Sequence, residues 1–241
     1  MDEFGSRMKE YEKAYKTKLT KRMPVLLRID GKAFHTYTKG MKKPFDVDLN
    51  EAMWKTAIFL CQNIMGAKVA YHQSDEISIL LTNYHKITTE SWFDNNLQKI
   101  VSVAASLATA KFNEIMRVKY PNKELAFFDC RAWVLPKDEV NNYFLWRQQD
   151  ATKNSISMVA QAFFSSKELH KKDGSMKQDM LMEKGVNWNA LPVWQRRGAC
   201  IIKKEFRVNG TVRRRWVADE ETPIFSQEKN YIEQFVYSEE V

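Results

Sequence analysis

The chain has 241 residues, of which 44% are hydrophobic, and a formal net charge of +8. It can bury a sizeable core in one large domain or two small ones, and it contains no run of about 20 apolar residues that could form a membrane helix. Its N-terminal residues are charged throughout and lack the apolar segment of a signal peptide, so we expect a cytoplasmic protein without membrane attachment.

The first predicted elements are a helix, a strand, a second helix and a hairpin. Helical spacing predicts a helix over residues 6–20, and a short apolar strand follows over 24–30. A second helix is predicted over 48–65. Two strands, KVAYH and ISILLTN, then flank the segment QSDE.

The next elements complete a known order. A long amphipathic helix is predicted over 90–120, where it ends before Pro121, and AFFDCRAWVLP supplies a fourth strand. The order β-α-β-β-α-β is that of a ferredoxin-like sheet. We therefore predict an α+β fold with helices on one face and an antiparallel face left open to a ligand.

The pattern changes after Pro136. Two helices are predicted over 137–149 and 152–170, followed by a polar loop, another helix and an Asn-Gly turn that predicts a β-hairpin. We expect a core region over residues 1–136 and a C-terminal helical and hairpin region over 137–241, either packed on the core or continuous with it.

Most of the excess positive charge lies in one stretch within this C-terminal region. Residues 196–215 contain one acid, Glu205, and eight basic residues: Arg196, Arg197, Lys203, Lys204, Arg207, Arg213, Arg214 and Arg215. Such a stretch attracts polyanions because it releases their condensed counterions, and Trp194 or Trp216 beside it could stack on bases. The alternatives are a solvated strand face for the charges and core positions for the two tryptophans.

The three cysteines, Cys61, Cys130 and Cys200, lie far apart and form no C-x-x-C pair. This spacing favours small buried thiols over a disulfide framework or a zinc ribbon.

Two turns carry carboxylates. In a ferredoxin-like sheet the first strand neighbours the hairpin, so Asp30 and the pair Asp75-Glu76 are expected to meet at one edge. Like charges at that range need a cation between them, and carboxylate oxygens suit Mg²⁺. Two such ions could bind phosphates, with Gly31 allowing close approach and with Lys32, His35 and Lys43 nearby. The alternative is that both segments are ordinary polar turns.

The sequence also resembles a known family. LRIDGKAFHTYTKGMKKPFD, followed after a helix by AYHQSDEISILL, is similar to the tRNA(His) guanylyltransferases, the 3′-to-5′ nucleotide-adding polymerases. Further blocks, FGSRMKEYEKAY, FDCRAWVLP, NNYFLWRQQDATKNSIS and GVNWNALPVWQRRGACI, occur in the same order, so the resemblance covers nearly the whole chain.

The resemblance implies a polymerase-palm catalytic domain in which Asp30, the Gly31 carbonyl and Asp75 hold two Mg²⁺ ions, with Glu76 beside them as a catalytic acid. It implies GTP and ATP as substrates and tRNA as partner, and it suggests a homotetramer arranged as a dimer of dimers. The nucleotide-binding positions that it implies are Asp30, Gly31, Lys32, Ala33, Phe34, His35, Lys43, Ser74, Asp75, Lys99 and Arg131. Arg197 is implied as a basic group for triphosphate or RNA.

One block departs from the family pattern. Eukaryotic members that add a guanylate to tRNA(His) carry H-I-N-N-L-Y-N-T, whereas this chain reads TKNSISMV over residues 152–159, with Thr152 in place of the histidine and Asn154 matching an asparagine. Asn154 is a predicted RNA contact. The chain therefore resembles the guanylyltransferase-like branch, which restores missing 5′ nucleotides of tRNA by templated addition.

Three alternatives stay open: a strict tRNA(His) guanylyltransferase, a palm-type nucleotide cyclase that needs no RNA, and an RNA-binding module. The basic C-terminal stretch argues against the cyclase. Three acids facing a phosphate backbone argue against a binding module without Mg²⁺.

Overall fold

The computed structural model describes residues 2–208 and 210–237. The strands are β1 (Val25–Gly31), β2 (Ala67–Gln73), β3 (Glu76–Leu81), β4 (Phe128–Val134), β5 (Ala199–Val208) and β6 (Thr211–Asp219). The helices are α1 (Glu3–Ala14), α2 (Phe34–Tyr37), α3 (Val47–Asn63), α4 (Leu97–Lys119), α5 (Glu139–Phe163), α6 (Gly174–Glu183), α7 (Val193–Arg197) and α8 (Asn230–Tyr237). Two short 3₁₀ helices span Trp92–Asn95 and Trp188–Ala190.

All six strands form one antiparallel sheet in the order β4-β1-β3-β2-β5-β6. Its first four strands confirm the predicted ferredoxin-like arrangement. At the end of β1, Asp30 lies opposite Glu76 of β3 on one side and opposite Asp129 of β4 on the other. Sheet register therefore brings acids from three separate parts of the chain to one edge.

One face of the sheet packs against α3 and α4. Val25, Leu27 and Ile29 of β1 are buried in this layer, as the alternation of a strand requires. The helix predicted over 48–65 begins at Val47, because the Asp46 side chain caps it by accepting from the Leu49 amide at 2.9 Å.

Two helix predictions had wrong boundaries at their ends. The helix predicted over 90–120 begins only at Leu97, because Phe93 and Asp94 adopt left-handed φ values of 51° and 50° that interrupt it. The helix predicted over 6–20 spans Glu3–Ala14.

The other face was predicted to be open, and this is wrong. Helix α5 covers it, with Val140 and Phe144 buried against Leu26 and Leu80 of the sheet. Two helices were predicted over 137–149 and 152–170, but α5 runs without a break from Glu139 to Phe163. The segment between them contains no glycine or proline that could end a helix, and Ala151 is buried in the same layer.

The C-terminal residues extend the sheet. β5 pairs with β2 over Ala199–Ile201, and β6 pairs with β5 as the predicted hairpin. Asn209 of the predicted turn lies outside the described residues. A boundary near residue 137 stays a prediction, since both proposed regions contribute strands to the one sheet.

The three cysteines are free thiols; Cys61 and Cys200 are buried and Cys130 is half-buried. Within 2–208 and 210–237, no helix combines the length and the apolar character needed to cross a bilayer.

Candidate active site

A cavity of about 640 Å³ opens at the end of β1. Its walls are the loop after β1, the β2–β3 turn, residues 41–50 before and within α3, the C-terminal half of α5, and α7. The predicted site residues among its lining are Asp30, Gly31, Ala33, Phe34, His35, Lys43, Ser74, Asp75 and Asn154. Most of the predicted nucleotide-binding positions therefore surround one space.

Asp30 and Asp75 meet at this cavity although 44 residues separate them in the chain. The two turns are tied together by the Gly31 amide, which donates to the Asp75 carbonyl at 3.2 Å. Burial raises the pKa of Asp75, the nearby Asp30 carboxylate adds to that shift, and the Ser74 hydroxyl opposes it by donating to Asp75 Oδ1 at 3.0 Å. The Asp30 and Asp75 carboxylates repel each other when both are ionised, and a bound cation would relieve this repulsion.

The donor set fits Mg²⁺ better than a transition metal. Among the described residues, no three His, Cys, Asp or Glu side chains converge as a complete metal cage. Magnesium is commonly held by one or two carboxylates and completes its shell with water and substrate phosphates. Asp30 and Asp75, side by side on a cavity that leaves space for such ligands, match that requirement.

The loop after β1 is held close to the sheet. A Cβ at Gly31 would collide with the Phe34 ring, so only glycine fits beneath that ring. Ala33 adopts a left-handed φ of 54°, and Phe34 anchors the loop against Phe112 and Phe128 with ring centroids 5.6 and 5.2 Å away. Phe34 thus serves mainly as an anchor. The exposed Lys32 lies outside the lining.

The β2–β3 turn is held in a similar way. Ser74 has a left-handed φ of 53°, and the buried His72 side chain bonds through Nε2 to the Ser74 carbonyl at 2.8 Å. Because a carbonyl only accepts, Nε2 carries the proton and Nδ1 does not. Burial lowers the pKa of His72 to about 4, so the ring is neutral.

Glu76 has a different environment from its neighbour. It does not line the cavity, and its carboxylate accepts from Arg147 Nε at 2.8 Å and Arg147 Nη2 at 2.7 Å. The adjacent acids Asp75 and Glu76 therefore have different environments: Asp75 lines the cavity, and Glu76 forms a buried ion pair with Arg147 of α5.

Two predicted nucleotide contacts lie away from the cavity. Lys99 is in the first turn of α4 with its ammonium 6.0 Å from the Phe93 ring, near the sheet end formed by Val25 and Leu81. Arg131 of β4 lies opposite Arg28 and is 3.6 Å from the Asp129 carboxylate. Neither residue is among those that line the cavity.

Part of the lining was missed by sequence reasoning. Besides the predicted Asn154, the α5 wall consists of Ala151, Ser155, Met158, Gln161 and Ala162. These positions recur at helical spacing, so a continuous helix through residue 150 would have revealed the face. Trp194 lines the cavity beside Phe45, whereas Trp216 is buried in the core.

The predicted RNA contacts are dispersed. Register places Arg213 and Arg215 on one face of the hairpin and Arg214 on the other, where it pairs with Glu205 at 2.9 Å. Lys204 pairs with Asp219 at 3.0 Å, Lys203 lies 5.3 Å from the Trp216 ring, and Arg207 is opposite Val212.

The hairpin also points away from the cavity. Ala199 pairs with His72 at the cavity end of the sheet, and β5 runs from there in the opposite direction. Arg207, eight residues further on, is about 26 Å away at about 3.3 Å per residue. Arg196 and Arg197 precede β5 and stay near the cavity end, where Arg197 Nε donates to the Thr222 carbonyl at 2.9 Å.

Comparisons with known proteins identify the family of the chain. The tRNA(His) guanylyltransferase (Thg1) family profile matches residues 5–136. A bacterial Thg1-like protein solved in complex with ATP is 65% identical, with a TM-score of 0.92 over 98% of this chain and 100% of that chain. A bacterial Thg1-like protein in complex with GTP is 62% identical, with a TM-score of 0.85 over 98% and 100%. A probable tRNA(His) guanylyltransferase of Dictyostelium discoideum is 28% identical over 81% of this chain and 82% of its own length. The chain therefore belongs to the tRNA(His) guanylyltransferase family of nucleotidyltransferases.

Proposed function

We propose that this protein adds nucleotides in the 3′-to-5′ direction to the 5′ end of tRNA, templated by the opposite strand of the acceptor stem, and so repairs truncated tRNA. The observation that carries the proposal is the meeting of Asp30 and Asp75 on one cavity large enough for a nucleoside triphosphate. The two bacterial relatives hold ATP and GTP, and we propose both as substrates here. The proposed setting is the cytoplasm.

Asp30, Asp75 and the Gly31 carbonyl would hold Mg²⁺. The ions would supply neutralisation of phosphate charge and alignment of the reacting oxygens. The chain's own residues do the remaining work: Lys43 and His35 line the same cavity and can donate to phosphate oxygens, and the α5 and α7 walls limit access of water.

The reaction needs no covalent enzyme intermediate. The 3′-hydroxyl of the incoming nucleotide attacks the activated 5′ phosphorus of the RNA, and pyrophosphate or AMP leaves with the electron pair of the broken bond. The hydroxyl proton passes to solvent or to a phosphate. All three cysteines are among the described residues and none lines the cavity. Burial raises the pKa of each thiol well above the ordinary value, which disfavours a thiolate nucleophile.

We further propose that the basic hairpin binds RNA backbone at a distance from the reacting end. The hairpin extends away from the cavity end of the sheet, and this direction suits a duplex that lies along the protein, or a neighbouring subunit's substrate. We propose a homotetramer, and an exposed apolar stripe of Phe4, Met8 and Tyr11 on α1, continued by Tyr15 directly after it, is available for contact between subunits. Light scattering in solution would measure the subunit number.

The test of the function uses Mg²⁺, each labelled nucleoside triphosphate in turn, and a tRNA that lacks its first nucleotide. We expect templated 5′ addition. Incorporation only into full-length tRNA(His) with GTP would instead identify a strict guanylyltransferase. Conversion of GTP without any RNA would identify a cyclase, and either outcome would overturn the repair proposal.

A further inference from the structure

Both oxygens of the Glu76 carboxylate accept hydrogen bonds from protein donors. Both of its oxygens accept from the Arg147 guanidinium, and Ser78 Oγ donates to Oε1 at 3.3 Å. The Glu76 and Arg147 side chains are 9% and 7% exposed. Glu76 does not line the cavity of Asp30 and Asp75, and a metal ion that replaced the guanidinium would leave that charge buried and unpaired.

Arg147 connects Glu76 to the wall of the cavity that α5 forms. Its Nη2 also donates to Asp150 Oδ2 at 3.1 Å, and Asn154 Nδ2 donates to the same oxygen at 3.3 Å. Asn154 lines the cavity, one turn further along α5. An unbroken series of polar contacts thus connects the end of β3 to the amide of Asn154.

The two ends of this series of polar contacts belong to different secondary-structure elements. Glu76 is one residue from Asp75, so it moves with the carboxylate turn, whereas Asp150 and Asn154 belong to the helix that forms the opposite wall. Burial alone would lower the pKa of Arg147, but its hydrogen bonds to Glu76 raise it, so the guanidinium stays charged. The ion pair between Glu76 and Arg147 therefore fixes the position of α5 relative to the β2–β3 turn.

The geometry points to Glu76 as a positioning residue that acts through Arg147 and Asp150 to aim Asn154 at the nucleotide or RNA end in the cavity. On this assignment Glu76 is neither a metal ligand nor a general acid. The inference rests on the proposed function, since it assigns a task within the same cavity.

Metal binding separates the two roles for Glu76. Mn²⁺ serves as the probe, titrated against the purified protein and followed by electron paramagnetic resonance. We expect Glu76→Gln to bind Mn²⁺ within about twofold of the wild type, and Asp75→Asn to lose at least tenfold in affinity. A loss for Glu76→Gln that equals the loss for Asp75→Asn would overturn the inference.

A second pair of variants leaves the buried ion pair intact. Asp150 is 40% exposed, so Asp150→Asn should fold, and it removes the negative charge to which Arg147 Nη2 and Asn154 Nδ2 both donate. We expect kcat/KM for 5′ addition to fall about tenfold, with the Mg²⁺ concentration for half-maximal rate unchanged. The matched control is Glu139→Gln on the same helix, whose carboxylate accepts from Asn142 Nδ2 at 3.3 Å and takes no part in the series. Wild-type kinetics for Asp150→Asn would refute the positioning role.

The two proposals fail in different ways. A wild-type protein that binds Mn²⁺ but adds no nucleotide to any tRNA would refute the proposed function, and the Mn²⁺ comparison of Glu76→Gln with Asp75→Asn would still decide the role of Glu76. The double variant Glu76→Gln/Arg147→Met should lose no more activity than the worse single variant, because both belong to one series. Additive losses would contradict it.

Discussion

The acidic turns and the basic hairpin differ in how sequence distance relates to position in space. Asp30 and Asp75 are far apart in the chain, and the pairing of β1 with β3 brings them to one cavity. Arg213, Arg214 and Arg215 are consecutive, and the alternation of a strand sends them to opposite faces of the hairpin. Strand pairing therefore concentrates charge from residues that are distant in the sequence, whereas a single strand distributes the charges of consecutive residues over its two faces.

The largest expected effect concerns the acidic turns. Asp30→Ala should lower the rate of 5′ addition by at least about 10³-fold, because catalysis by positioned charge depends on this carboxylate. The control is Asp129→Ala, since Asp129 lies directly opposite Asp30 in the sheet but does not line the cavity. We expect less than about a tenfold change for the control, measured with a labelled triphosphate. Equal losses would mean that the edge as a whole, rather than the cavity, matters.

A smaller effect should appear in stability as a function of pH. The pKa of His72 is lowered by burial from its ordinary 6.5 to about 4, so the unfolded chain binds a proton that the folded chain does not across this interval. The free energy of unfolding should therefore fall as the pH drops from about 6.5 to about 4, by at most about 3 kcal/mol.

Denaturant titrations at several pH values would measure this loss. His72→Gln keeps a donor for the Ser74 carbonyl without a titrating group, so its stability should change less over the same interval. An unchanged pH dependence in that variant would show that His72 is not the responsible group.

The smallest expected effect concerns the hairpin. Arg213→Ala/Arg215→Ala removes two charges from one face and should reduce the slope of log affinity for tRNA against log salt by about 2. Arg214→Ala should reduce it by less than 1, because Arg214 is already paired with Glu205. Fluorescence anisotropy at several salt concentrations would measure the slopes. Equal effects per arginine would show that the two faces bind RNA alike.

Much of the fold was predictable because it follows from local periodicity. The short apolar run of β1, the QSDE turn and the helical spacing of α3 predicted a ferredoxin-like order that the sheet confirms. The continuity of α5 was missed, since no residue near 150 marks a boundary and the pattern on both sides is helical. Because the continuity of α5 was missed, the face of this helix that closes the cavity was missed as well.

The residues that could carry the chemistry can be identified in the amino-acid sequence: acids in turns that follow buried strands, a glycine beside one of them, and a basic stretch. The environment and partners of each of these residues depend on the tertiary structure. It placed Asp75 at the cavity and Glu76 in an ion pair with Arg147, and it moved the hairpin arginines to the far end of the sheet. The physical reason is that side-chain direction alternates along a strand, and the partner that each side chain meets depends on a helix or strand distant in the chain.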